Sequence, residues 1–180
     1  MSRNRNSVTG TAARGGALYT PEERIRRDAS PWTTVQAVLA PLQFLVFLVS
    51  LALVLRFLVT EEGRAAAEVS IVIKTGILYT IMVTGSIWER EVFGQWLFAE
   101  PFFWEDVVSF LVLALHTAYL GALWYDWGSA GEQMALALAA YAAYVVNAGQ
   151  FLWKLRQARL DRTYDETETK DALRMAEYAQ

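Results

Sequence analysis

Cysteine is absent from this 180-residue chain and histidine occurs once. Disulfide frameworks, thiolate zinc sites, iron–sulfur clusters and thiol nucleophiles are therefore excluded, as is any metal site that needs two imidazoles. Charge is scarce in the middle: of the 16 Lys and Arg, six precede residue 28 and six follow residue 153, so the long stretch between them holds four. A net charge of −3 offers no concentrated basic face, which argues against a nucleic-acid partner. Glycine-rich phosphate loops and internal repeats are also missing. What is present is apolar residue, 54% of the chain against 19% charged.

A helix needs about 20 apolar residues to cross about 30 Å of hydrocarbon. Four stretches qualify: Thr34 to Val59, Val69 to Ile87, Val107 to Trp124 and Met134 to Trp153. The expected fold is all-α, a polytopic membrane protein built as a four-transmembrane-helix bundle. Arg56 and Lys74 are read as lying near helix ends, where long cations reach the interface. No cleavable signal sequence is expected before the first span. Three segments follow from this: a disordered N-terminal extension over 1–18, the membrane domain over 19–160, and a polar tail over 161–180. Thr20-Pro21-Glu22-Glu23 combines an N-cap, a first-turn proline and a capping-box glutamate, so a short interfacial helix rich in arginine should open the domain on anionic lipid.

Cations near span ends are retained on the cytoplasmic side. Both tails and the connection from Trp88 to Asp106 share one side, with Arg24, Arg26, Arg27, Arg90, Lys154, Arg156, Arg159 and Arg162; the other side has Arg56, Arg64 and Lys74. Both termini are therefore expected in the cytoplasm. Tryptophans mark the two interfaces, with Trp32, Trp88, Trp96, Trp104 and Trp153 inside and Trp124 and Trp127 outside.

Polar groups within the spans require a reason. Gln36, Gln43 and Ser50 recur every seven residues on one face of the first span, and Pro41 leaves the carbonyl of Ala37 without its helical partner. Gly76, Thr80, Thr84 and Trp88 form a four-residue rhythm suited to helix contact, and Ala135, Ala139 and Ala143 a close-packing stripe running on to Asn147, with Gln150 beyond. Glu105, Ser109, Val112, His116 and Tyr119 share a face of the third span. His116 at its middle is either a neutral packing residue or a functional group. The inner connection carries Glu89, Glu91, Glu100, Glu105 and Asp106 against one Arg90 among many aromatic side chains. Folded onto the bundle, such carboxyls are desolvated, which raises their pKa and suits them to general acid work.

Tyr19-Thr20-Pro21-Glu22, Ala40-Pro41-Leu42-Gln43-Phe44, Gly85-Ser86-Ile87-Trp88-Glu89, Glu91-Val92-Phe93-Gly94, Phe103-Trp104-Glu105-Asp106, Leu115-His116-Thr117 and Asn147-Ala148-Gly149-Gln150 closely resemble the vinyl (bacterio)chlorophyllide hydratases, membrane enzymes of bacteriochlorophyll synthesis in phototrophic bacteria. The resemblance runs from about Leu18 to Arg159. It implies water addition across the ring vinyl of chlorophyllide a or a vinyl bacteriochlorophyllide, giving a hydroxyethyl group, in the inner or intracytoplasmic membrane. Such a reaction needs an acid for the terminal vinyl carbon, stabilisation of the resulting cation, and a base for water.

Glu89, Glu91, Glu105 and Asp106 are the candidate catalytic carboxylates, and His116, Gln43, Gln95, Asn147 and Gln150 the candidate substrate- or water-binding residues. No cofactor of its own is expected, because the substrate carries its own Mg²⁺, to which His116 is a candidate axial ligand. Glu105 lies about 16 Å along a helix from His116, too far for both to serve one macrocycle as acid and ligand unless the ring lies obliquely and the helix start unwinds. Membrane lipid is the expected surrounding, and self-association or contacts with neighbouring pathway enzymes are compatible with the sequence. The alternative is a pigment-binding membrane protein without catalysis, but antenna polypeptides usually place Ala four residues before the ligand His, where this chain has Val112, and they lack four spans.

Overall fold

The computed structural model describes residues 18–178, with side chains described through residue 160 and at Arg174. The extension read as disordered thus falls, for residues 1–17, outside the described residues. Among these residues the chain is helical: α1 (Pro21–Ala29), α2 (Pro31–Thr60), α3 (Arg64–Phe93), α4 (Phe103–Trp124) and α5 (Ala130–Tyr178), with a 3₁₀ turn at Glu100–Phe102. Helices α2 to α5 contain four stretches long and apolar enough to cross a membrane, the last being Ala130–Leu160. The polar tail begins as a continuation of α5.

Each helix start and stop has a local cause. Thr20 caps α1 through the expected capping box, its hydroxyl accepting from the Glu23 amide at 3.3 Å and the Glu23 carboxylate accepting from the Thr20 amide at 2.8 Å, an arrangement worth about 1 kcal/mol. Ser30 then caps α2, and Ser129 and Glu132 repeat the reciprocal pattern at the start of α5. Left-handed backbone at Glu61 and Gly63 turns the chain between α2 and α3, and Gly94, at φ 82°, stops α3.

Two antiparallel hairpins result. Helix α2 packs along α3 and α4 along α5, while the hairpins meet each other more sparsely, through α2 with α5 and α3 with α4. The apolar core lies toward the middle of this junction and the end that holds the α2–α3 turn, where Phe47, Val54, Ile71, Leu78, Val112, Tyr119, Met134, Tyr141 and Tyr144 interdigitate. Helix α1 folds against the C-terminal end of α3: Arg26 Nε donates to the Val92 carbonyl at 2.7 Å, and Tyr19 stacks on Phe93 beneath the Arg27 guanidinium. Tryptophans 96, 104 and 153 are exposed at this end and Trp124 and Trp127 at the other, the two belts expected of interfacial rings.

Four expectations change. The connection read from Trp88 to Asp106 is mostly helix, because Glu89 and Val92 continue the buried face of α3 until Gly94 ends it, and α4 begins at Phe103; the irregular segment spans 94–102. Lys74 does not reach an interface: it is the eleventh residue of α3, falls on the same face as Ile71 and Leu78, and is fully enclosed. The stripe Ala135, Ala139, Ala143 is not the packing face, since Ala135 and Ala139 are exposed and the buried set is Met134, Ala137, Ala140, Tyr141 and Tyr144; the aromatic pair fixes the helix phase by burying far more surface than alanine. Gly76 and Thr80 likewise face outward, and the Thr80 hydroxyl donates to its own helix at Gly76, while Thr84 accepts from Gln36 at 2.8 Å and Trp88 donates to Thr33 at 2.9 Å.

Candidate active site

The C-terminal end of α3 and the N-terminal end of α4 bring three carboxylates out of water: Glu89, Glu105 and Asp106, at 5%, 6% and 4% exposure. Glu89 reaches this position because it lies one turn before the buried Val92; Glu105 and Asp106 because they occupy the first turn of α4, where the helix N-terminus favours negative charge. The carboxyl groups of Glu89 and Asp106 lie beside each other. Two carboxylates side by side and away from water repel, so this placement favours the state in which one of the two is protonated.

The connecting segment completes the pair. Phe98 has φ 60°, a left-handed conformation unusual for a residue with a side chain. That turn aims two successive amides inward: Phe98 N–H donates to Asp106 Oδ2 at 2.6 Å and Ala99 N–H to Glu89 Oε2 at 3.2 Å. Its ring, stacked on Phe110 at 5.5 Å and close to Phe103, holds the conformation in place. Strain retained at one residue is thus the means by which both carboxyls receive a backbone donor.

Glu105 stands apart electrostatically. Lys154 of α5 approaches it at 3.7 Å and donates to the Pro101 carbonyl at 2.5 Å, so this carboxylate has a cation of its own. Glu91 points away from the pair, exposed, and accepts from the Ser30 hydroxyl at 2.6 Å at the α1–α2 corner. Gln95 is exposed in the turn after Gly94. Of the four candidate carboxylates, three therefore gather at one place, and of those only Glu105 has a cation beside it among the described residues.

Below the pair lies a polar layer. Asn147 of α5 donates to Ser109 of α4 at 2.8 Å, leaving its carbonyl oxygen without a partner among the described residues; the Gln150 carbonyl oxygen and both amide atoms of Gln43 are buried and likewise without a partner there. Gln43 lies one turn before Phe47, and Asn147 and Gln150 follow Tyr144, whose ring packs on Phe47 at 4.9 Å, so these amides come from facing helices at one depth. Unsatisfied buried amides cost about 1–3 kcal/mol each.

At mid-bundle Lys74 Nζ meets His116 Nε2 at 2.7 Å, while His116 Nδ1 faces the Val112 carbonyl at 2.8 Å. A ring that donates through Nδ1 accepts through Nε2, so the lysine occupies the imidazole's acceptor position. Sequence reading placed His116 correctly on the buried face but missed Lys74; the signal was its three- and four-residue spacing from Ile71 and Leu78. Ser50 closes this layer, bonded to Ser70 at 2.7 Å and to Tyr141 at 2.5 Å.

Fold and site together define a small polytopic helical membrane protein with a buried acid pair at one end of its bundle. Residues 19–157 match the family described as 2-vinyl bacteriochlorophyllide hydratase. Among curated proteins, the chain is 68% identical over 153 residues to the 2-vinyl bacteriochlorophyllide hydratase of Rhodobacter capsulatus, covering 85% of this chain and 89% of that one. It is 67% identical over 153 residues to the protein of the same name from Cereibacter sphaeroides, covering 85% and 95%. The chain belongs to the 2-vinyl bacteriochlorophyllide hydratase family. No solved structure matches it.

Proposed function

We propose that the chain adds water across the ring vinyl group of a chlorophyllide or vinyl bacteriochlorophyllide, and that the Glu89–Asp106 pair performs the proton transfers. The observation that carries the catalytic part is that these two carboxyls are buried, each accepts from a backbone amide of the 94–102 turn, and neither has a cation against it among the described residues, whereas Glu105 has Lys154. The pair delivers its proton to the terminal vinyl carbon, and the positive charge left on the inner carbon spreads into the macrocycle. With the proton gone the pair is doubly negative, which stabilises that cation electrostatically. Water then bonds to the inner carbon and returns a proton to the pair, so one hydrogen and one hydroxyl are added and the pair is regenerated.

Gln43, Asn147 and Gln150 position the water and the ring's polar periphery with their unpartnered amide atoms. Hydration changes no oxidation balance between enzyme and substrate, so the reaction calls for no electron carrier; the macrocycle brings its own Mg²⁺. His116 serves to hold Lys74, in place of a role on that metal. The protein lies in the bacterial inner or intracytoplasmic membrane with both termini in the cytoplasm, a reading supported by the grouping of α1, the 94–102 turn and Lys154 at the end richer in cations.

The test is to incubate the purified chain in detergent with chlorophyllide a and examine pigments by chromatography and mass. A product heavier by one water is expected; pigment that binds and is recovered unchanged would make this a pigment carrier.

A further inference from the structure

Lys74 is the most deeply enclosed cationic side chain among the described residues, and no carboxylate approaches it. Its nitrogen is surrounded by the Tyr144 ring at 4.3 Å, the Tyr141 ring at 5.0 Å, the Phe47 ring at 6.0 Å and the neutral nitrogen of His116. Arg56 pairs with Glu62, Arg64 with Glu68 and Lys154 with Glu105, so the lysine stands apart as a buried amine without an anion. Aromatic faces and an imidazole acceptor offset part of the cost of a buried ammonium. A negative charge arriving beside it would offset more, because a buried cation is otherwise uncompensated.

A bacteriochlorophyllide supplies such a charge. It is a free acid, with an ionised propionate on one side of a flat, apolar ring that carries the vinyl group at another edge. Distances along the bundle agree with a ligand spanning both features: His116, which touches Lys74, is ten residues along α4 from Asp106, a rise of about 15 Å, comparable to a tetrapyrrole with its carboxylate arm extended. Gln43 and Asn147, buried with unpartnered polar atoms, lie between these two levels.

Building on the hydratase reading, we infer that Lys74, steadied by His116 and caged by Phe47, Tyr141 and Tyr144, binds the carboxylate of the tetrapyrrole substrate while the Glu89–Asp106 pair faces its vinyl edge. Lys74 is then a binding residue that selects the free acid over an esterified pigment and fixes which vinyl edge meets the acid pair.

The experiment titrates the purified full chain in detergent with chlorophyllide a and with its propionate methyl ester, following pigment absorbance, and assays the same samples for hydrated product. Hydrogen bonds to charged groups are worth about 1.5–3 kcal/mol, so the free acid should bind about 10- to 100-fold more tightly than the ester. Lys74→Gln should bring the two affinities together by weakening the acid alone, and Lys74→Arg should keep part of the preference. Equal affinity of the parent for acid and ester overturns the inference without any variant needing to fold, as does a Lys74→Gln protein that retains the preference. Hydration with equal affinities removes the anchor and leaves the hydratase; selective binding of the acid without hydration removes the hydratase and leaves the anchor.

Discussion

Replacing Glu89 by Gln, or Asp106 by Asn, isolates the transferred proton from everything else these residues do. In Glu89→Gln the amide oxygen still accepts from Ala99 N–H and the amide nitrogen donates to Asp106, which keeps its own bond from Phe98 N–H. Asp106→Asn is the mirror case. Each variant therefore preserves volume, the positive-φ turn at Phe98 and the contact between α3 and α4, and removes only the proton that moves. General acid–base groups contribute about 10²–10⁴-fold, so turnover should fall by that factor, about 3–5 kcal/mol on the barrier. Chlorophyllide affinity should change little, because the substrate's apolar ring and its carboxylate are bound elsewhere. Glu91→Gln is the matched control, since its amide still accepts from Ser30 and the residue faces away from the pair; it should stay within a few-fold of the parent. The assay is single-turnover hydration by chromatography, with pigment binding and thermal unfolding measured on the same preparations. Glu89→Gln and Asp106→Asn both hydrating near the parental rate would refute the acid-pair mechanism, and the buried Tyr119 would become the next group to examine.

Gln43→Leu should act with opposite signs on stability and function: it removes a buried amide with no partner, raising the unfolding midpoint by an amount equivalent to about 1–3 kcal/mol, while turnover falls because a water- and ring-positioning group is lost. A single cysteine at Ser129 should react with an impermeant thiol reagent added outside intact cells, and one at Gln95 should not; the reverse pattern would invert the topology.

Much of this architecture is legible in the sequence because run length and helical phase are strong signals. The four spans, the capping box at Thr20 and the buried face Glu105–Ser109–Val112–His116–Tyr119 are all where periodicity puts them. Gathering Glu89, Glu105 and Asp106 at one place was also readable, since they flank two apolar runs at the same end. What was not readable is side-chain partnership across helices. Nothing local says that Glu105 meets Lys154 while Glu91 meets Ser30, or that the backbone reverses at Phe98 to donate to two acids. The Ala135–Ala139–Ala143 stripe misled because small residues suit both helix contact and lipid exposure, and the bulkier Tyr141 and Tyr144 decided the phase. Lys74 misled for a related reason: a cation in a span is ordinarily explained by reach to an interface, and its enclosure became visible only with His116 opposite.

That enclosure also bears on how the protein is made. A lysine near the middle of a span adds roughly 2.5–3.5 kcal/mol to the cost of inserting it, and α3 is already less apolar than α2, with mean hydropathy 1.6 against 2.6 in their best windows. Because α2 and α3 pack along their length, the pair is suited to enter the bilayer as one hairpin, with the strong first helix carrying the weak second. The imidazole that receives Lys74 lies 42 residues further along the chain, so during synthesis the lysine is in the membrane before its partner exists. Closure of the bundle around the amine is thus a late event, tied to arrival of the second hairpin. A nascent chain halted after Gly94 should leave Lys74 open to membrane-permeant amine reagents that the finished protein excludes.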